Sequence, residues 1–367
     1  MTSHISQAAS HPESSATATT PTSSITNVAA KANVSIATVS RVLSGKRTKD
    51  DDIAHRVRAA AAELNYSVNY AASALRSDVT NTIGLLIPSA TDPLSAQLLD
   101  ELEPVIDTES QQLLLGIGST PALQEERIES LTARNVDGLI VVAAPGADLA
   151  LTLERYAHQI PIVQVGGRQH SFQTSMVSID DNAALGMAMR HLAEAGAKSV
   201  AYLAGKEVSF ESAELFAMFH TQVRSYAMLT RSTWNQFGER SVQRGFHCAM
   251  RLYGEGDALD RSNQSTAYMR RPDALICCDD TVAFGAMVAL DALDLRVPED
   301  VQIIGHGDSP LALTTMPLLT SIRPPVEQIA TEALRLIAAG SDTPAHIVLP
   351  SHLIVRGSTR HYSGAHQ

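Results

Sequence analysis

The sequence predicts an α/β protein: a small all-helical head followed by a larger body built on parallel sheets. Three observations predict it. Between Ser24 and Leu64 the apolar residues recur at helical spacing in three short, capped segments. From Ile83 onward, short continuously apolar runs alternate with helical segments, the pattern of parallel strands covered on both faces. Charge divides along the same boundary. Residues 24–76 carry eight Lys or Arg against four acids, whereas the whole chain of 367 residues stands at -11. A basic module on an acidic body is an electrostatic footprint of DNA binding.

Residues 1–23 are mostly Ser, Thr, Ala, Gln and Pro, and cannot bury enough apolar surface to offset their ordering entropy. They are expected to be a disordered tail. Ser24 then caps a helix through Ala32, and Asn33 stands where the chain must turn sharply; Asn tolerates left-handed geometry. Ser35 caps a second helix, from Ile36 to about Leu43. Asp50 is expected to cap a third, from Asp51 to about Leu64. Val28, Ala29, Ala32, Val34, Val39, Val42, Leu43, Val57 and Leu64 suffice for a shared core. Two short helices, a tight turn and a supporting third helix make a helix-turn-helix unit.

Around residues 78–82 the period changes. The apolar runs that follow occupy 83–87, 113–117, 139–143, 160–165, 200–203, 274–278 and 301–304. In such folds ligands bind at the carboxyl ends of the strands. Residues 205–240 show no clear pattern. Cys248, Cys277 and Cys278 are odd in number and show no metal-ligand spacing, which fits a reducing cytoplasm and no disulfide framework. No stretch is long and apolar enough to span a membrane, and no leader pattern opens the chain. No nucleophile constellation, phosphate-cradling glycine loop or metal motif is present, so neither an enzyme nor a cofactor is expected.

Assembled, these segments resemble the LacI/GalR family of bacterial repressors from residue 24 to 359. The head reads SITNVAAKANVSIATVSRVLSG (24–45) and the following stretch NYSVNYAASALRS (65–77). NTIGLLIP (81–88), VDGLIV (136–141), IPIV (160–163) and DNAALG (181–186) come next in family order. PDALICCDDTVAFGA (272–286), VPEDVQIIG (297–305), PLLTSIRPP (317–325) and LIVRGST (353–359) complete it. Asn33 replaces the family's turn glycine and Val68 its hinge proline. The resemblance implies a helix-turn-helix domain over 24–66 and a hinge over 67–80. It also implies a periplasmic-binding-protein-like body over 81–362, with two parallel-sheet subdomains between which the chain crosses several times. It implies homodimers on palindromic, double-stranded operator DNA, under the control of a small-molecule effector.

Carried over by residue, Ile36, Ala37 and Arg41 face the bases. The Arg41 guanidinium can hold guanine O6 and N7 bidentately, or could instead clamp a phosphate. Ser35, Thr38 and Ser44 hold phosphates and set register, with Thr26 on the same side; Ser35 also serves as an N-cap. In the hinge, Leu75 takes the position of the family's minor-groove wedge, with Asn69 and Ala72 beside it; an ordinary linker with one leucine covering the body is the other reading.

For the effector, Leu94 and Ser95 stand where many members have two aromatics. Asp279 is the ligand candidate after its strand, and Asp280 either caps the next helix or joins it. Trp234 either stacks on a sugar-like ring or belongs to the core. Arg240 and Arg244 flank Val242, which fills the place of a ligand-touching arginine; both are ligands or solvated charges. His306 reads as a pocket or core histidine. Gly307 stands where G-F/Y-D-D members have an aspartate. Loss of that negative charge suits an anionic effector, a small sugar acid, with Arg168 as its cationic partner. A sugar is the broader expectation. A solute-binding transport protein shares the body fold but has no DNA head. A regulator controlled by a protein partner, its pocket vestigial, is the nearer alternative.

Overall fold

The computed structural model describes residues 24–43, 47, 49–66, 79–206, 210–254, 271–340 and 342–361. The chain divides after Asp78 into two compact units, a head and a body. The expected tail at 1–23 lies outside the described residues, as does nearly all of the hinge segment.

In the head, α1 (Ile25–Ala32), α2 (Ile36–Leu43) and α3 (Asp52–Glu63) enclose Val28, Ala29, Ala32, Val39, Val42, Ala54, Val57, Ala60 and Ala61. Val34, Leu43 and Leu64 pack against that cluster. Ser24 accepts the Asn27 amide and Ser35 Oγ accepts the Thr38 amide at 3.2 Å, so both expected caps are made. The third cap differs by one residue. Asp51, not Asp50, accepts the Ala54 amide at 3.1 Å, while Asp50 pairs with Arg58 at 2.6 Å. Which of three successive aspartates caps depends on an ion pair eight residues away, beyond the reach of spacing.

Asn33 closes the turn in left-handed geometry, φ 53 and ψ 52. Any Cβ is crowded by the following carbonyl there, a cost that asparagine's short polar side chain offsets and glycine escapes. Asn33→Ala should therefore destabilise the head by about 1 kcal/mol, and Asn33→Gly should not. Chemical denaturation followed by circular dichroism checks it; equal stability of the two variants would contradict the strain argument.

The described residues of the body form two sheets. In the first lobe are β1 (Thr82–Ile87), α4 (Pro93–Thr108), β2 (Gln112–Ile117), α5 (Pro121–Ala133), β3 (Gly138–Val142), α6 (Ala150–Ala157), β4 (Ile162–Val165) and β5 (Ser175–Ile179). The second lobe has α7 (Asp181–Glu194), β6 (Val200–Leu203), α8 (Phe210–Ser225), α9 (Val242–Ala249), β7 (Ala274–Cys277), α10 (Asp280–Ala292), β8 (Gln302–His306) and β9 (Thr320–Arg323). α11 (Val326–Ala339) and β10 (His346–Leu349) return to the first lobe, and β11 (His352–Ile354) ends in the second. Strand order is β10-β5-β4-β3-β1-β2 in one sheet, all parallel, and β11-β9-β8-β7-β6 in the other, with only β11 antiparallel. The chain thus crosses between lobes near residues 180, 324 and 350.

Each sheet is covered on both faces. Leu85, Ile140 and Val163 pack under α4 and α11, whereas their neighbours Leu86, Leu139 and Ile162 pack under α5 and α6. Leu203, Leu275 and Ile303 face α9 and α10; Tyr202, Ile276 and Ile304 face α7 and α8. This two-sided burial is why the strands read as unbroken apolar runs. β5, β9, β10 and β11 were not among the expected runs. SMVSI and TSIR carry small polar residues, and the two latecomers are short edge strands. The stretch 205–240 holds α8 and a loop that returns to β6, where the Ala204 amide donates to the Gln236 carbonyl at 2.8 Å.

Candidate functional site

The head offers one face. Helical periodicity sends Val39 and Val42 of α2 into the core and leaves Ile36, Ala37, Ser40 and Arg41 exposed together. Ile36 is 44% exposed, unusual for so large an apolar residue. Ser35 and Thr38 lie at the N-terminal end of this face, their hydroxyls 2.9 Å apart, and Thr26 is exposed on α1. Among the described cations of the head, Lys31, Arg47 and Arg58 pair with Glu63, Asp51 and Asp50, and no ion pair engages Arg41, Lys49 or Arg56. Ser44, Asn69, Ala72 and Leu75 lie outside the described residues.

In the body, the carboxyl ends of β1, β4, β6, β7 and β8 lead to segments that meet across the gap between the lobes. Asp92 follows β1 and caps α4, its Oδ2 accepting both the amide (3.0 Å) and the hydroxyl (2.8 Å) of Ser95. Asp279 follows β7 and caps α10, its Oδ1 accepting the Val282 amide at 2.8 Å. Arg240 lies between them, Nη1 at 3.3 Å from Asp92 Oδ1 and Nε at 3.9 Å from Asp279 Oδ2. That Oδ2 is buried and has no hydrogen-bond partner among the described residues, and burial raises the Asp279 carboxyl above its usual range. Two further contacts span the gap. Gln97 Nε2 donates to the Gly307 carbonyl at 2.9 Å, and the Arg168 guanidinium lies 4.8 Å over the Phe210 ring.

The remaining expected residues are placed as follows. The capping role raised for Asp280 belongs to its neighbour Asp279. Asp280 accepts Ser321 Oγ and the Ser309 amide, both at 2.6 Å, and is fully buried, so it ties the loop after β8 to strand β9. Trp234 takes the core alternative. It is 4% exposed, packed among the residues over α9 and α10, with Arg231 over its ring. Ser95 is wholly buried as the partner of the Asp92 cap, and Leu94 packs on the first lobe's core with its tip beside Gly166. Arg244 donates to the carbonyls of Gln236 (2.7 Å) and Glu239 (3.2 Å), so it shapes the loop rather than lying solvated. Sequence reasoning did not single out Asp92, Gln97 or Phe210. An aspartate before a helix-opening proline could have pointed to the first; nothing marked the other two.

His306 ends β8 beneath Arg240. Burial, and then the Arg240 charge, push its imidazole down to about 4. The unfolded chain takes up that proton near pH 6.5 and the folded chain does not, so His306 withdraws stability as pH falls from about 7 towards 4. Asp181 and Asp280, both raised by burial to about 6, act in the opposite sense over much of that range. His306→Phe should therefore gain on the wild type as pH drops from 7.5 to 5. Melting curves across that interval check the sign; a constant difference would contradict it.

Comparison with known proteins adds the relatives. A family model described as bacterial regulatory proteins, lacI family, matches residues 24–69, and one for a periplasmic binding protein-like domain matches 189–359. The HTH-type transcriptional regulator MalR of Streptomyces coelicolor is 31% identical over 352 residues, covering 92% of this chain and 97% of that protein. The HTH-type transcriptional repressor PurR of Pectobacterium carotovorum is 29% identical over 317 residues, 85% of this chain and 89% of that one. Among solved structures, a complex of the transcriptional regulator CelR with cellobiose is similar at 25% identity and TM-score 0.64, covering 92% of this chain and 99% of that one. The lac repressor dimer bound to operator and the anti-inducer ONPF shares the fold at TM-score 0.75 and 23% identity, with 92% and 99% covered.

Proposed function

The chain belongs to the lacI family of bacterial regulatory proteins and is a helix-turn-helix transcriptional regulator; from that premise we propose that it is a repressor gripping a palindromic operator as a homodimer. The observation that carries the reading is the α2 face, with Ile36, Ala37 and Arg41 outward and Val39 and Val42 inward. Arg41 reads a guanine edge, Ile36 and Ala37 meet thymine methyls, and Thr26, Ser35, Thr38 and Ser44 hold phosphates. Leu75 is the minor-groove wedge of the hinge, flanked by Asn69 and Ala72. A single head covers only a half-site, so two-fold pairing follows. Exposed apolar side chains on the body suit such pairing: Val105, Leu115 and Ile117 around α4 and the edge strand β2, and Leu313, Met316 and Leu318 in the second lobe.

The effector is a small polyhydroxylated molecule held between the lobes; the similar CelR forms a complex with cellobiose. Asp279 Oδ2, which accepts no hydrogen bond among the described residues, offers a hydroxyl an acceptor. Gly307 adds no charge, and Arg168 forms no ion pair among the described residues; both favour a sugar acid, with Arg168 as the partner of its carboxylate. Leu94, Arg240 and His306 complete the lining. Calorimetry on the full chain with neutral sugars and their aldonic acids tests this. Binding of an acid that is lost in Arg168→Ala is expected. Binding of neutral sugars alone, unaffected by that substitution, would overturn it.

A further inference from the structure

Two helices open onto the gap between the lobes, α4 from one and α10 from the other, and each is capped by an aspartate that uses one oxygen for the cap. The second oxygen of each turns to the same guanidinium. Asp92 Oδ1 is 3.3 Å from Arg240 Nη1, and Asp279 Oδ2 is 3.9 Å from Arg240 Nε. Arg240 stands just ahead of α9 and so belongs with Asp279 to the second lobe, while Asp92 belongs to the first. The arrangement therefore ties one lobe to the other.

We propose that Arg240 is a latch which holds the two lobes of the body closed through the protein's own charges, independently of which effector the cleft takes. The Asp279 side chain is 5% exposed and Asp92 20%, against 48% for Arg240. Asp279 lies in the same lobe as Arg240 and holds the guanidinium from one side, so that its other edge is presented to Asp92. The neighbouring cross-lobe contacts, Gln97 to the Gly307 carbonyl and Arg168 over Phe210, brace the same gap without charge pairing. The covalent links near 180, 324 and 350 are three short strands of backbone, the kind of connection about which lobes rotate. Opening must break the Arg240–Asp92 bond, and an effector that displaces Asp92 from the guanidinium releases the latch.

The test reads the distance between the lobes. Surface cysteines at Pro145 in the first lobe and Gln243 in the second, both exposed, carry spin labels. The native Cys248, Cys277 and Cys278 are buried and stay unlabelled. Full-length chain is used, diluted with unlabelled chain so that only distances within one protomer are seen. Arg240→Gln is expected to enlarge the long-distance population by about threefold or more, in keeping with loss of a charge pair. Asp92→Asn keeps a cap oxygen for α4 and should give the same enlargement, and the double variant no more than either alone. Arg296→Gln removes an exposed pair within the second lobe and should change nothing. Unaltered distances in both Arg240→Gln and Asp92→Asn, or effects that simply add in the double variant, would overturn the latch.

Discussion

Replacing Gly285 with alanine is expected to lower the melting temperature of the body by roughly 6 °C or more, the largest stability effect foreseen for any single methyl group. α9 and α10 cross so closely that a Cβ at Gly285 would stand 2.0 Å from the Val242 carbonyl oxygen, and one at Gly245 equally close to the Val282 carbonyl oxygen. The obstacle in both cases is backbone, which cannot swing aside as a side chain can. Forcing the helices apart also loosens the cluster of Leu203, Cys248, Leu275, Val282 and Ile303 between them and the sheet. Overpacking of this kind costs about 3 kcal/mol. Helix propensity alone predicts the reverse, since alanine is favoured over glycine by about 1 kcal/mol. Gly186→Ala in α7 supplies the comparison, because a Cβ there meets only Gln222 side-chain atoms at 3.4 Å. It should be neutral or stabilising. Calorimetric melts of the two variants decide the matter, and a stable Gly285→Ala body would mean that the helices are not in backbone contact.

Replacing Arg41 with alanine should cost about 1–3 kcal/mol in operator affinity and relax base preference at one symmetric position of the site. Arg41 is exposed on α2 and is not drawn into an ion pair, unlike Lys31, Arg47 and Arg58 around it. Competition assays with operators altered one base pair at a time give the pattern. A loss equal on every sequence, with a shallower dependence on salt, would reassign Arg41 to the phosphate backbone.

What the sequence allowed to be read was local or two-sided. Ser24, Ser35 and Asn33 act within four residues of themselves, and their roles follow from capping and turn chemistry. The apolar runs of β1, β3, β4, β6, β7 and β8 are legible because both faces of each strand are buried. What stayed hidden depended on partners far along the chain. Arg240 meets Asp92 across 148 positions and Gln97 meets Gly307 across 210, and no periodicity encodes either. Asp279 and Asp280 are adjacent acids after one strand, yet one caps α10 while the other fastens Ser309 and Ser321. A one-residue offset at a strand end decides between them, and spacing rules do not resolve that offset. The fate of Arg244 was likewise set by carbonyls of a loop whose path the sequence did not suggest.

Selection from random double-stranded DNA with the full-length chain shows whether a dimer reads a two-fold operator through α2. One palindrome with a guanine at a symmetric position in each half-site should be enriched, and Arg41→Ala should lose preference at that position alone. Recovery of a single unrepeated half-site at full affinity, or no enrichment of any sequence, would contradict it.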